Sequence, residues 1–268
     1  MERSPKSLIF EKARIAFPER CERQVTADAS RPDRRTLLAF SVAFGFAGAL
    51  KAQDDPTVSA RARMVERHLA ERGIKDKRVL EAFRTVPRHE FIRPDARHLA
   101  YEDESIPIGE GQTISQPYIV ALMTELAAVG PGSKVLEVGT GSGYQAAVLA
   151  ACGAEVHSIE IVDALAKRAA GDLARLGIAK VHVRSGDGYA GWPEAAPFDA
   201  IVVTAAAPHV PPALIEQLRI GARLVIPVGE TGQEQRLQVH TRTRDGVEVH
   251  DVVPVRFVPM TGAARHPR

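Results

Sequence analysis

Two periods of apolar and polar positions alternate along the chain from Pro56 onward, and the switches between them predict its elements. Val58, Met64, Val65 and Leu69 recur at helical spacing up to Gly73, and Val79, Leu80, Phe83 and Val86 do so between Asp76 and Pro87. Each run predicts a helix. The stretch from Arg88 to Gly111 contains Pro94, Pro107, Gly109 and Gly111 and little periodicity, which predicts a long irregular connection of the kind that carries function more often than not. Thereafter helices and short apolar strands alternate: helix Pro117–Val129, strand Lys134–Val138, helix Tyr144–Ala151, strand Glu155–Ile159, helix Asp163–Leu176 and strand Val181–Arg184. A strand at Phe198–Thr204, a short helix at Pro212–Leu218 and a strand at Arg223–Pro227 follow. Arg236–Thr243 and Val247–Val258 then alternate around Arg244-Asp245-Gly246, a hairpin signal. The expected fold is α/β, a Rossmann-like doubly wound and mostly parallel sheet with an antiparallel C-terminal strand.

The first 55 residues do not fit this pattern. Arg34-Arg35 precedes an apolar run from Leu37 to Leu50 that ends in small residues, shorter than the roughly 20 residues of a membrane span. Paired arginines before such a run resemble a twin-arginine export leader; the other reading is an upstream extension outside the fold. Residues 1–55 are therefore set apart from a single domain spanning 56–268. Charge follows the same division. Of the 35 Lys/Arg and 33 Asp/Glu, ten and six fall in residues 1–52, leaving 25 basic against 27 acidic side chains in the body. A near-neutral body gives no support for a nucleic-acid partner. Cys21 and Cys152 form no C-x-x-C pair, and the nine histidines include no H-x-x-x-H pair, so neither a disulfide framework nor a metal site is expected.

The chemistry concentrates where strand Lys134–Val138 breaks into Gly139-Thr140-Gly141-Ser142-Gly143. A strand, a glycine turn and a helix in that order leave bare backbone at the carboxyl edge of a sheet. The dinucleotide fingerprint G-x-G-x-x-G fails, because Tyr144 stands where its third glycine belongs, and no Gly-Lys-Ser/Thr follows for a phosphate loop. Gly-x-Gly-x-Gly suits an adenosine carrying an amino-acid tail better than a pyrophosphate. Three carboxylates surround it. Glu137 immediately precedes the loop, Glu160 ends the next strand at the spacing of a ribose acceptor, and Asp187 ends the third beside Gly188, placed to face an adenine edge. Taken singly, each reads first as a solvated carboxylate at a strand end; three of them at the carboxyl ends of successive strands around a glycine loop are hard to attribute to surface composition.

The blocks Gly111-Gln112-Thr113-Ile114-Ser115-Gln116-Pro117-Tyr118, Val135 to Tyr144, Ser185-Gly186-Asp187-Gly188 to Trp192, Pro197 to Ala207 and Val255-Arg256-Phe257-Val258-Pro259 resemble the protein-L-isoaspartate O-methyltransferase family. The resemblance runs from about Met64 to Thr261, and its Gln-Thr-Ile-Ser-Gln-Pro block is absent from generic methyltransferases. It implies S-adenosylmethionine as cofactor and isoaspartyl residues of damaged proteins and peptides as substrate. It also implies Ser115 as the catalytic serine, with Glu137, Gly139, Gly141, Glu160, Asp187 and Gly188 as cofactor contacts and Thr261 closing the pocket. A methyltransferase for small molecules or RNA, and a cofactor-binding protein without activity, are the alternatives.

A carboxylate acceptor with an ordinary pKa near ~4 is already ionised at neutral pH and needs no general base. Ser115 would therefore hold and aim the acceptor by donating its hydroxyl. Its position two residues before Pro117 also predicts a helix N-cap. Tyr101 and Ile106 are candidate peptide contacts. The mature domain is expected to act as a monomer without membrane association, in the cytoplasm, or in the periplasm if the leader exports it.

Overall fold

Residues 56–262 are described by a computed structural model; the leader assigned to 1–55 lies outside them. Helix α1 (Pro56–Met64) widens into a π-type turn over Val65–Ala70, and the chain turns at Gly73 with φ of 100°. Helix α2 (Lys77–Thr85) begins where the Asp76 carboxylate accepts the Arg78 N–H at 2.8 Å, a cap worth about 1 kcal/mol. It buries Val79, Ala82 and Phe83 on one face and stops before Pro87, which cannot continue a helix.

The connection after Pro87 is more ordered than its sequence predicts. It forms 3₁₀ turns at Arg88–Phe91 and Pro94–Leu99, then a hairpin of β1 (Ile106–Gly109) against β2 (Gln112–Ile114). Short 3₁₀ turns do not produce a 3.6-residue period, and strands of four and three residues are too short to establish an alternation. Helix α3 (Pro117–Ala127) follows with Pro117 at its first position, and ends at Ala128 in the left-handed region with φ of 53°.

The remaining elements are β3 (Lys134–Val138), α4 (Tyr144–Ala151), β4 (Glu155–Glu160), α5 (Asp163–Arg175), β5 (Val181–Ser185), β6 (Phe198–Val203), α6 (Pro212–Glu216), β7 (Leu218–Val228), β8 (Gln235–Arg242) and β9 (Val247–Val255). The seven-stranded sheet has the order β5-β4-β3-β6-β7-β8-β9. Strands β3 to β7 pair in parallel, while β8 runs against β7 and β9 against β8. Strand β7 begins at Leu218, earlier than expected, by pairing with Phe198. The exposed Arg219-Ile220-Gly221 that follows breaks the alternation and hides this start.

Alternate residues along each strand divide the core between the two faces. Leu136, Val138, Ile159, Ile201, Val203 and Leu224 fill one side, and Val135, Val156, Ala200, Val202 and Val225 pack on the other with the helical layer. The chain leaves β3 toward β4 and β5, then returns to β6 on the opposite flank. A crevice opens at the carboxyl ends of β3 and β6, where open α/β sheets bind ligands.

Candidate active site

Gly139 leaves β3 with φ of 96°, and its N–H donates to the Ile159 carbonyl at 2.8 Å. Its carbonyl accepts the Thr204 hydroxyl at 2.5 Å. A Cβ at this position would collide with that hydroxyl, so the loop tolerates no side chain here. Gly141, with φ of 54°, donates its N–H to Glu160 Oε2 at 2.8 Å, while Glu160 Oε1 accepts the Val162 N–H at 2.9 Å. Glu160 is thus held by two amides, and each carboxylate oxygen keeps acceptor capacity for a hydroxyl in the cleft. Gly188 brings the end of β5 close, since a Cβ there would overlap the Val138 side chain.

Around these residues lies a cleft lined by Gly139, Gly141, Glu160, Ile161, Gly188 and Thr261 among others. Among the described residues no Lys, Arg or His lines it, so a pyrophosphate would find no counter-charge there. Ile161 keeps 42% of its surface exposed beside Glu160, an apolar plate against which a flat base can rest. An acceptor carboxylate, free backbone around glycines and an exposed aliphatic side chain fit the adenosine and amino-acid tail of S-adenosylmethionine.

Two of the three carboxylates, Glu137 and Asp187, are not among the residues that line this cleft. Glu137 has the opposite pleat parity to Val138 and lies wholly buried beneath the loop, outside the cleft lining. Ser158 Oγ donates to it, and Thr140 Oγ1 meets Ser158 Oγ at 2.5 Å, so Glu137 props the glycine loop from below. Burial pushes its carboxyl up to about 8, with the Ser158 hydrogen bond pulling the other way. Asp187 accepts the Tyr189 N–H at 2.9 Å and caps the 3₁₀ turn Gly188–Ala190. Gly262 packs so closely on the Asp187 carboxylate that a Cβ on it would collide, and Asp187 is not among the residues lining the cleft.

The C-terminal run crosses the crevice. Ala206 N–H donates to Val258 O at 2.8 Å, Met260 N–H donates to Ala206 O at 2.7 Å, and Tyr189 Oη donates to Met260 O at 3.4 Å. These bonds hold Thr261 at the rim.

A second cleft is lined by Ser105, Ser115, Gln116, Arg256 and Phe257 among others. The two clefts share Thr113, Thr204 and Val258 as lining residues and so lie side by side. Ser115 is not the helix cap that its spacing predicts. Gln116 occupies the capping position without a side-chain bond, because Pro117 takes the first helical position and leaves Ser115 one residue outside. The Ser115 hydroxyl has no hydrogen-bond partner among the described residues and lines the second cleft. Ile106 is in the core, and Tyr101 binds His89 Nδ1 at 2.6 Å and Arg61 Nη1 at 3.4 Å, so neither lines this cleft.

Ile161 and Thr204 were not identified from the sequence. The signal for Ile161 was an aliphatic residue directly after the strand-end acid, where the chain leaves the sheet. For Thr204 it was the last polar position after the apolar run Ala200–Val203 on the neighbouring strand.

A family model described as Protein-L-isoaspartate(D-aspartate) O-methyltransferase matches residues 59–265. The protein-L-isoaspartate O-methyltransferase of Opitutus terrae is 54% identical over 228 residues, covering 85% of this chain and 97% of its own. That of Gloeobacter violaceus is 57% identical over 198 residues, covering 74% and 97%. Among solved structures, a protein-L-isoaspartate O-methyltransferase superposes with a TM-score of 0.69 at 31% identity, covering 75% of this chain and 66% of that one. A Plasmodium falciparum structure assigned to the same activity, in complex with S-adenosyl-L-homocysteine, has a TM-score of 0.66 at 27% identity, covering 75% and 98%. The chain belongs to the protein-L-isoaspartate(D-aspartate) O-methyltransferase family.

Proposed function

We propose that the chain transfers a methyl group from S-adenosylmethionine to the free carboxylate of L-isoaspartyl residues in damaged proteins and peptides, with Ser115 holding the acceptor. The observation that carries this reading is that the two clefts adjoin, with Thr113, Thr204 and Val258 lining both. A donor in one cleft and an acceptor in the other meet there.

When bound, S-adenosylmethionine would supply an electrophilic sulfonium methyl group for in-line transfer to a carboxylate oxygen, with S-adenosylhomocysteine as the leaving group. Glu160, Gly139, Gly141, Gly188, Ile161 and Thr261 would hold the cofactor. Ser115 donates its hydroxyl to one acceptor oxygen and leaves the other facing the junction. No residue has to remove a proton, because the acceptor is ionised at neutral pH. Orientation and exclusion of water do the rest, and can lower the barrier by roughly 7–11 kcal/mol for well-placed reactants. Small residues after β6, Ala205 to Ala207, leave room at the junction. In the product, a neighbouring backbone amide attacks the methyl ester, methanol leaves, and the succinimide hydrolyses partly to a normal aspartyl linkage.

The domain is read as residues 56–268, acting as a monomer in the cytoplasm, where the cofactor is made. Among the described residues no helix is long and apolar enough to cross a membrane. The test is incubation with methyl-labelled cofactor and matched peptides carrying aspartate or isoaspartate. Base-labile label on the isoaspartyl peptide alone is the expected result; label on neither peptide overturns the reading.

A further inference from the structure

Arg88 opens the 3₁₀ turn after α2 and is fully enclosed, with 0% of its surface exposed. Arginine is almost never buried without a paired carboxylate, yet Arg88 forms no ion pair among the described residues. Its guanidinium stays cationic at neutral pH, although burial lowers its pKa to about 10. Nη2 donates to the Glu104 carbonyl at 3.3 Å, the guanidinium carbon lies 5.0 Å from the centre of the Tyr144 ring, and Nε and Nη1 have no partner. A buried charge that is costly to the fold and spends its one hydrogen bond on a loop carbonyl calls for an explanation in terms of that loop.

The loop runs from Tyr101 to Ser105 and forms part of the cleft that contains Ser115. Ser105, next to Glu104, lines that cleft. Asp103, on the other side of Glu104, accepts the Tyr118 N–H of α3 at 2.9 Å and pairs with Arg72, whose guanidinium stacks 3.6 Å from the centre of the Tyr118 ring. The loop is therefore fastened at two adjacent residues, to the core through Glu104 and to the start of α3 through Asp103. Ser115 and Gln116 lead into that same helix start.

We propose that Arg88 is a positioning residue for the peptide-binding cleft: its buried guanidinium fixes the 101–105 loop against the start of α3, and so sets the spacing between Ser105 and Ser115. The inference rests on the reading that this cleft receives the isoaspartyl peptide. Arg88 touches neither cleft, so its effect falls on peptide binding and not on the cofactor.

The test compares wild type, Arg88→Met, Arg88→Lys and Asp103→Ala, measuring peptide KM and kcat at saturating S-adenosylmethionine and cofactor affinity by calorimetry. Arg88→Met is expected to raise peptide KM about tenfold, the effect of losing one charge-assisted hydrogen bond, with kcat and cofactor affinity within about twofold of wild type. Arg88→Lys keeps a cationic donor for the Glu104 carbonyl and should recover most of the loss. An unchanged KM, or a loss spread equally over kcat and cofactor affinity, overturns the proposal. If Arg88→Met does not fold, Asp103→Ala decides: it cuts the second fastening from a less buried site, and a selective rise in peptide KM supports the proposal while an unchanged KM overturns it. A wild-type enzyme that labels no isoaspartyl peptide defeats the underlying reading instead.

Discussion

Thr204 Oγ1 and the Gly139 carbonyl, 2.5 Å apart, join the ends of β6 and β3 across the point where the sheet reverses its winding. Gly139→Ala would set a Cβ against that hydroxyl in a backbone conformation with φ of 96°. Strain of this kind costs about 1–3 kcal/mol. Cofactor affinity should fall between about tenfold and a hundredfold, read by calorimetry with S-adenosylhomocysteine. Affinity equal to wild type would mean that the loop does not contact the ligand.

Ser115 lies outside the helix cap, so Ser115→Ala should change thermal stability by less than about 0.5 kcal/mol. Losing a hydroxyl that donates to a charged acceptor should lower kcat/KM for an isoaspartyl peptide by about tenfold to a hundredfold, with cofactor affinity unchanged. A matching fall in stability and activity would assign Ser115 to the fold alone.

Glu160 presents a carboxylate held by two amides to the cleft. Glu160→Gln replaces one acceptor oxygen with a donor that faces a backbone N–H. Cofactor affinity should weaken at least about tenfold, while kcat at saturating cofactor changes little. A reduced kcat with intact affinity would move Glu160 out of the binding role.

Glu137 makes stability depend on pH. Burial raises its folded pKa to about 8 from an ordinary 4.5. Between those values the folded state keeps a proton that the unfolded state releases, so stability falls as pH rises through the window and levels off above about 8. Glu137→Gln retains an oxygen for Ser158 and removes the titration. Its urea midpoint should change less between pH 5 and pH 8 than that of wild type; parallel profiles would show that Glu137 does not contribute.

The parallel core was legible because buried strands announce themselves as apolar runs between turn residues. Lys134–Val138 was read with the boundaries it has in the structure. The Arg88–Gly111 connection was not legible, since its 3₁₀ turns and short hairpin carry no period. For the site, spacing identified Glu160 but could not say which way a strand-end carboxylate points. Glu137 faces away from the cleft because neighbouring residues on a strand alternate sides. Asp187 caps the turn that follows it and is packed against Gly262, a contact from a segment seventy-five residues later that no local pattern encodes.

The run from Pro254 to Thr261 lines the Ser115 cleft at its beginning and the Glu160 cleft at its end, and hydrogen bonds to Ala206 fasten it near the middle. A single short span with little slack thus serves as a wall of both compartments. Any coupling carried by that wall is mutual by thermodynamic linkage: a factor by which a seated peptide tightened the hold on the methyl donor would be the factor by which the donor tightened the hold on the peptide.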